Sequence, residues 1–397
     1  MHPVEITDGV YWTGAQDPDL RIFDVIMHAP RGTTYNSYLV QGKQRNALID
    51  VVKASFTGPF LENLGRLIDP ASLDYVVVNH TEPDHSGALA AVLETTGSAQ
   101  LVCAKNARRF VEGLLNRDVG PMQVNEGDEL DLGDRKLRFI IAPFLHWPDT
   151  MFTYLEPDGI LFTCDFLGAH YADERLFNDQ VDDYSHEFRY YFDIIMRPFK
   201  SYVLEALDKI EALDITMICP SHGPILREKV DYYLRCYRDW ASQPTPDAEK
   251  RLLVFYASSY GNTARLGEEI AAGAREAGMS VGIFDLNATK PEAVVDAIEA
   301  ADAVAVGSLT INGDAVKPVW DLLSSLATLN LRGKVAASFG SFGWSGEAPK
   351  FIAQRLGDLK MKVLGEPVRA QLVPTAEDLA ACRDLGRQIG QAVAAKT

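Results

Sequence analysis

The sequence predicts a two-domain α/β protein, in which a mixed α/β layer domain precedes a doubly wound parallel sheet. Two observations support this prediction: the length of the chain and a change of pattern near residue 245. The 397 residues exceed the roughly 100–200 that a single domain commonly contains. Residues 242–250 include two prolines among small and polar residues, a composition typical of a linker. We therefore place the domains at residues 1–248 and 249–397.

Composition and charge argue against several classes of protein. The net charge is −17 and there is no basic cluster, which disfavours nucleic-acid binding. No apolar run reaches the roughly 18 residues of a membrane span, and the first residues lack the pattern of a secretory signal. The five cysteines are scattered without a Cys-x-x-Cys pair, which argues against disulfides or a thiolate-bound metal. We expect a cytoplasmic protein with reduced thiols.

The first domain has the less regular pattern of the two. Strand-like runs at 37–40 and 47–50 are separated by turns and predict antiparallel sheet. Further strands are expected at 75–78, 137–142, 160–164 and 215–219, and helices at 86–95, 105–115, 200–212 and 227–241. Together these elements predict a mixed α/β layer fold.

Ligand-type side chains follow four of these strands. The run His80-Thr81-Glu82-Pro83-Asp84-His85 comes directly after the strand at 75–78, and positions 80, 82 and 84 of an extended loop can point to one side. One more ligand-type residue follows each of the other three strands. Because these strands would deliver their ligands at the same kind of end, we expect the side chains to converge. The candidate ligands are His80, Glu82, Asp84, His85, His146, Asp165 and His222.

Four imidazoles and three carboxylates suffice for two metal ions. One partition gives His80, Glu82 and His146 to one ion and Asp84, His85 and His222 to the other, with Asp165 bridging. Each ion then has two histidines and carboxylate oxygen, a set that suits non-haem iron with open positions. Zinc accepts the same ligand types.

The second domain alternates strands with helices. Strands are expected at 252–257, 281–286, 303–307, 335–339 and 362–368, and helices at 263–277, 291–300, 315–327, 348–358 and 376–394. This alternation predicts a parallel doubly wound sheet. Its ligand crevice should lie at the carboxyl ends of the strands.

Three loops rich in hydroxyl groups and glycine, at 258–263, 308–313 and 341–346, are expected at this crevice. The first precedes a helix, whose free N–H groups and dipole favour a phosphate. It has neither the lysine of a Walker loop nor Gly-x-Gly-x-x-Gly, so a mononucleotide is favoured over ATP or NAD. We expect Trp344 to lie against a flavin ring, the alternative being an aromatic that packs on its own surface loop. The predicted FMN contacts are Ser258, Ser259, Tyr260, Gly261, Asn262, Thr263, Ser308, Leu309, Thr310, Asn312, Gly313, Ser341, Phe342, Gly343, Trp344 and Gly346.

The ligand pattern resembles the diiron site of the flavodiiron proteins, or A-type flavoproteins, which is built on a metallo-β-lactamase-like αββα sandwich. The three loops are similar to the FMN loops of flavodoxins and of that same family, except that the family commonly has proline at Leu309. The resemblance covers essentially the whole chain. It implies a flavodoxin-like second domain, one FMN and two iron ions. In some members the residue matching His85 is not a ligand.

The resemblance implies an oxidoreductase that reduces dioxygen to water, nitric oxide to nitrous oxide, or both. Reduced FMN and two ferrous ions together hold the four electrons that dioxygen needs, and two nitric oxide molecules need only two. No Cys pairs of a rubredoxin-like domain follow, so we expect an external donor, either a rubredoxin-like protein or a reduced flavin or deazaflavin. His170 resembles a family histidine that could hydrogen-bond the oxidant; the alternative is a solvent-facing histidine.

The resemblance also implies a head-to-tail homodimer, or a dimer of dimers, in which the FMN of one subunit faces the dimetal site of another. Two other functions remain open at this point. A dizinc hydrolase with a flavodoxin-like module is disfavoured by Glu82, since related hydrolases have histidine there and a carboxylate favours iron. An electron carrier with a purely structural first domain is disfavoured by the seven ligand-type residues. No residue separates dioxygen from nitric oxide.

Overall fold

The computed structural model describes residues 2–242 and 249–396. The chain forms two compact units, Met1–Gln243 and Pro244–Thr397. Residues 243–248 of the predicted linker lie outside the described residues, and the exact domain bounds stay a prediction. Within the described residues, no helix has the length and apolar character that crossing a membrane requires.

The first unit contains two main sheets and several helices. Its strands are β1 (Val4–Thr7), β2 (Val10–Trp12), β3 (Ala15–Asp17), β4 (Ile22–Phe23), β5 (Met27–His28), β6 (Thr33–Tyr35), β7 (Tyr38–Gln41), β8 (Asn46–Ile49), β9 (Tyr75–Val78), β10 (Gln100–Ala104), β11 (Met122–Val124), β12 (Glu129–Asp131), β13 (Lys136–Ile141), β14 (Met151–Glu156), β15 (Ile160–Cys164) and β16 (Met217–Pro220). Its α-helices are α1 (Thr57–Leu67), α2 (Pro83–Ser86), α3 (Leu89–Thr96), α4 (Arg108–Leu115), α5 (Ser185–Tyr191), α6 (Lys200–Ile210) and α7 (Val230–Ala241). Shorter helical turns cover Ala54–Phe56, Pro70–Ser72, Phe192–Met196 and Arg197–Phe199.

The two sheets of this unit pack into an αββα sandwich. The strand order is β1-β2-β7-β8-β9-β10-β11 in one sheet and β12-β13-β14-β15-β16 in the other. Successive residues of a strand point to opposite faces, so Phe139 of β13 joins the core that holds Val77 of β9, whereas Ile140 packs in the cluster that holds Tyr237 of α7. The pair β7–β8 is antiparallel, as expected, while β8, β9, β10 and β11 run parallel.

The predicted ligands lie just beyond the carboxyl ends of strands. β9 ends at Val78, shortly before His80, and β15 ends at Cys164, directly before Asp165. One local expectation was wrong: residues 80–85 are not one extended loop, because α2 begins at Pro83. Proline is favoured at the first helical position, where its missing N–H costs no hydrogen bond. The helical turn therefore carries Asp84 and His85.

The second unit is a parallel sheet with helices on both faces. Its strands are β17 (Arg251–Ala257), β18 (Ser280–Asp285), β19 (Ala303–Ile311), β20 (Asp314–Ala315), β21 (Val335–Phe342), β22 (Lys362–Val363) and β23 (Val368–Gln371). Its α-helices are α8 (Asn262–Glu276), α9 (Val295–Ala300), α10 (Lys317–Ser325), α11 (Ala348–Asp358) and α12 (Ala376–Ala394), with helical turns at Pro291–Ala293 and Leu326–Thr328. The main order is β18-β17-β19-β21-β22, with β23 also paired to β21. This is the flavodoxin-like order, whose ligand crevice lies at the carboxyl ends of β17 and β19, the neighbouring strands at which the strand order reverses.

Two strands of this sheet are longer than the sequence predicted. Ser308 to Ile311 belong to β19, whose last two residues pair with β20 in a hairpin, and Ser341 and Phe342 belong to β21. The hairpin turn is Asn312-Gly313, with φ of +52° and +77°, and Asn-Gly is favoured in such turns because both positions tolerate positive φ. The predicted strand at 362–368 is divided into β22 and β23.

Candidate metal centre and flavin-binding loops

The structure brings the seven predicted ligand residues of the first unit together in two groups. The first group contains His80, Glu82, His146 and Asp165, and the second contains Asp84, His85 and His222. This grouping coincides with the partition proposed from the sequence. Five of the seven residues are less than one-tenth exposed, and the side chains of the other two, His146 and Glu82, are 19% and 16% exposed.

In the first group, Glu82 stands between two imidazoles. Its Oε2 atom lies 3.2 Å from Nε2 of His80 and 3.0 Å from Nε2 of His146. Both nitrogens also lie 3.5 Å from Oδ2 of Asp165. These four side chains therefore surround one small volume with two nitrogens and two oxygens.

In the second group, Asp84 takes the corresponding place. Its Oδ1 lies 3.3 Å from Nε2 of His85, and its Oδ2 lies 3.0 Å from Nε2 of His222. The other oxygen of Asp165, Oδ1, lies 2.9 Å and 3.6 Å from the same two nitrogens. Asp165 thus offers one oxygen to each group, which is the geometry of a bridging carboxylate.

The separations between these atoms suit metal coordination. With metal–ligand bonds of about 2.1 Å, neighbouring ligand atoms stand about 3.0 Å apart in an octahedron and about 3.4 Å apart in a tetrahedron. Both oxygens of Asp84 and Oδ2 of Asp165 are buried and accept no hydrogen bond from any described residue. Buried carboxylates without donors need a cation nearby. The donor set therefore fits two metal ions.

Without metals, the carboxylates and imidazoles of the cluster perturb one another. Burial would raise the pKa of Glu82, but hydrogen bonds from His146 and His80 lower it to about 2. Burial would lower the pKa of His85, but the charges of Asp84 and Asp165 raise it to about 9. Hence protons occupy the positions that metals would take, and metal binding must release them.

Further side chains form hydrogen bonds that fix the orientation of the ligand residues, and the sequence did not predict these contacts. Asp149 accepts a hydrogen bond from Nδ1 of His80 at 3.1 Å and two more from Thr81. The hydroxyl of Tyr191 donates to Oδ1 of Asp165 at 3.0 Å. The only sequence signal for Asp149 was an acidic residue three positions after His146, and Tyr191 carried none.

His170 is buried, with 3% of its surface exposed, so the alternative of a solvent-facing histidine is wrong. Its Nδ1 pairs with Oγ1 of Thr33 at 3.0 Å, and its ring stacks on Phe23 at 4.2 Å. The ring centre lies 5.1 Å from that of His222. Burial, reinforced by His222, lowers the pKa of His170 well below its usual range, which keeps the ring neutral. Its Nε2 is buried and has no hydrogen-bond partner among the residues that the structure describes.

In the second unit, the loop after β17 leads into the N-terminus of α8. Gly261 precedes this helix with φ of +79°, and no side chain of the described residues caps the first turn. The N–H groups at the start of α8 are therefore available to an anion. The Oγ1 of Thr263 and Oγ of Ser341 are buried and lie 2.8 Å apart. This contact joins the first and third predicted FMN loops.

The side chains of the three predicted FMN loops differ in how accessible they are to a ligand. The hydroxyl of Ser308 is occupied internally, since it accepts from the N–H of Val316 and donates to the carbonyl of Leu309. By contrast, Tyr260 is 91% exposed and Trp344 is 80% exposed. Large exposed aromatic rings beside the carboxyl ends of the strands fit a flavin that would cover them.

Comparisons with known proteins agree with both halves of this description. Residues 33–223 match the family described as ODP family beta lactamase, and residues 254–386 match the flavodoxin family. A type A flavoprotein of Rhodobacter capsulatus is 44% identical and covers 98% of this chain and 91% of its own length. The nitric oxide reductase of Moorella thermoacetica is 37% identical and covers 99% of each chain.

A solved structure shows the same architecture over the whole chain. The rubredoxin oxygen:oxidoreductase from Desulfovibrio gigas aligns with a TM-score of 0.73 and 31% sequence identity, covering 100% of this chain and 99% of that one. The expected combination of a metallo-β-lactamase-like domain with a flavodoxin-like domain is therefore confirmed.

Proposed function

The chain belongs to the flavodiiron protein family, the type A flavoproteins, and we propose that it reduces dioxygen to water, nitric oxide to nitrous oxide, or both. The family makes it an oxidoreductase with FMN and a diiron centre as cofactors. Similar proteins are named for each of the two substrates, nitric oxide for one and oxygen for another. The observation that carries the proposal is the ligand cluster in which Asp165 faces both groups.

We assign the ligands as the geometry groups them. His80, Glu82 and His146 would hold one iron, and Asp84, His85 and His222 the other, with Asp165 between them. When bound, the two irons supply open positions for a small oxidant and, together with FMN, the electrons for its reduction. Glu82 supports iron over zinc, since it places a hard anionic oxygen where related dizinc hydrolases have histidine.

The surrounding residues position the ligands and keep water away. Phe23 packs against the rings of His170 and His222 at 4.2 and 5.2 Å, so an apolar wall closes one side of the second group. The neutral ring of His170 leaves Nε2 free to hydrogen-bond the oxidant. In either tautomer its Nδ1 remains held by the hydroxyl of Thr33.

The second unit would bind FMN, with the phosphate at the N-terminus of α8 and the flavin ring beside Trp344. We propose that electrons reach this FMN from an external donor, either a rubredoxin-like protein or a reduced flavin or deazaflavin. The head-to-tail homodimer, alone or as a dimer of dimers, would then bring the FMN of one subunit to the dimetal site of its partner. A cytoplasmic location is part of the same proposal.

The test is anaerobic stopped-flow of the fully reduced, metal-analysed protein, mixed separately with dioxygen and with nitric oxide. We expect iron near two per chain, FMN near one, and rapid reoxidation by at least one gas, whose relative rates rank the substrates. The variant Asp165→Ala, with FMN retained, should lose reoxidation beyond that of free flavin. Zinc in place of iron, with no rapid reoxidation, would refute the proposal. Sedimentation and turnover with each donor test the oligomer and the electron source.

A further inference from the structure

The two ligand groups differ in the hydrogen-bond partners of their histidine Nδ1 atoms. The Nδ1 of His80 donates to a buried carboxylate oxygen, Oδ2 of Asp149, at 3.1 Å. The Nδ1 of His222 donates to a neutral acceptor, the backbone carbonyl of Thr34, at 2.6 Å. The Nδ1 of His85 is buried and has no partner among the described residues. Among these three histidines, only His80 therefore has an Nδ1 that is hydrogen-bonded to a carboxylate.

Asp149 is held firmly in its place. Its Oδ2 accepts from both the backbone N–H and the hydroxyl of Thr81, each at 2.7 Å, in addition to His80. Since Asp149 lies three residues after His146, these contacts also tie together the two loops that supply the first group. The carboxylate therefore sets the ring orientation of His80 and leaves Nε2 directed at the cluster.

A hydrogen bond to Asp165, the carboxylate between the two groups, adds to the difference between them. Tyr191 donates to Oδ1 of Asp165, the oxygen that faces His85 and His222. The other oxygen, Oδ2, faces the first group and accepts no hydrogen bond from the described part of the chain. The hydrogen bond from Tyr191 takes up part of the negative charge on Oδ1, so this oxygen would donate less electron density to a metal beside it. Oδ2 has no such hydrogen bond and would donate more.

We propose that Asp149 is a positioning residue that makes the two iron sites unequal, so that the iron held by His80, Glu82 and His146 is bound more tightly and is the last to be reduced. A carboxylate that accepts the proton of a ligating imidazole makes that imidazole a stronger donor, and a stronger donor favours ferric over ferrous iron. When this iron is reduced, one electron from the external reductant converts Fe(III) to Fe(II), and no bond is broken. The inference rests on the proposed function, because it requires iron at both positions.

The experiment uses Asp149→Asn in the FMN-containing full-length protein, which keeps the shape of the side chain and removes its charge. The first readout is iron release to a chelator, and the second is a reductive titration followed by EPR. One of the two irons should bind about 10–100-fold more weakly, as is typical when such a partner is lost. The last one-electron step should move to higher potential, by about 59 mV for each tenfold loss of ferric preference. FMN content and potential should not change.

A second variant predicts a change of opposite sign. Thr81→Val removes the hydroxyl that donates to Asp149 at 2.7 Å while leaving the carboxylate in place. More of the negative charge then acts on His80, so the last reduction step should move to lower potential. A shift in the same direction as that of Asp149→Asn would overturn the inference, and this holds even if Asp149→Asn does not fold.

The matched control is Asp74→Asn. Asp74 is a half-buried carboxylate that accepts a hydrogen bond from the backbone N–H of Asn46 at 2.8 Å, and it precedes the start of β9, at the end of that strand away from His80. This variant should leave both irons unchanged. Equal changes in Asp149→Asn and Asp74→Asn, or an equal effect of Asp149→Asn on both irons, would refute the role of Asp149. A wild-type protein that binds no iron would instead refute the proposed function itself.

Discussion

Removing the metals should make the stability of the first unit fall as the pH rises from about 6.5 to 9. Although burial lowers the pKa of both His85 and His146, neighbouring carboxylates raise each to about 9, from an ordinary value of 6.5. A group whose pKa is higher in the folded state stabilises the fold below its unfolded pKa. That stabilisation disappears as the pH rises through the folded pKa.

The magnitude follows from the same values. At about 1.4 kcal/mol for each pH unit, the higher pKa of His85 corresponds to about 3 kcal/mol of stability. His146 faces the same carboxylate, Asp165, so its contribution adds only in part. In a unit of this size, 1 kcal/mol changes Tm by roughly 2–4 °C, so the Tm of the metal-free unit should fall by about 6–12 °C.

Calorimetry of chelator-treated protein at several pH values between 6.5 and 9 measures this change. The unfolding of the FMN-containing unit provides an internal reference, and Asp84→Asn provides a matched variant, because Asp84 is the largest contributor that raises the pKa of His85. This variant should show a smaller fall. The iron-loaded protein should become more stable with rising pH, since metals compete with protons for the ligands. A metal-free Tm that stays constant or rises across this interval would refute the reasoning.

Three further substitutions test other parts of the molecule. Asp165→Asn should reduce bound iron to less than half by elemental analysis while FMN is retained; full iron occupancy would show that Asp165 does not bridge. Trp344→Ala should weaken FMN binding about tenfold in a fluorescence titration, from the loss of roughly 1.5 kcal/mol of ring stacking; an unchanged Kd would place the flavin elsewhere. Gly386→Ala should destabilise the second unit by about 1–3 kcal/mol in urea, because a Cβ there would lie 2.1 Å from the carbonyl oxygen of Ile270 where α12 contacts α8; an unchanged midpoint would contradict that close packing.

Periodicity and composition predicted the architecture well because each strand and helix is locally consistent with the fold. The helices α11 and α12 have the predicted bounds, and the parallel strands of the second unit are continuous apolar runs. The errors lie at element ends, where Asn312-Gly313 extends a hairpin and Pro83 begins a helical turn. At such positions turn chemistry outweighs the longer pattern.

The sequence by itself determined which chemical groups reach the candidate metal centre, since residues just beyond strand ends meet at one edge whatever the details of packing. Only the tertiary structure decided how those groups are arranged. Three features depend on contacts between residues distant in sequence. They are the orientation of the two Asp165 oxygens toward the two groups, the hydrogen bond from Tyr191 to one of these oxygens, and the hydrogen bond from His80 to Asp149. Hydrogen bonds act over about 3 Å, and no local pattern specifies which distant side chain the packed core will bring that close.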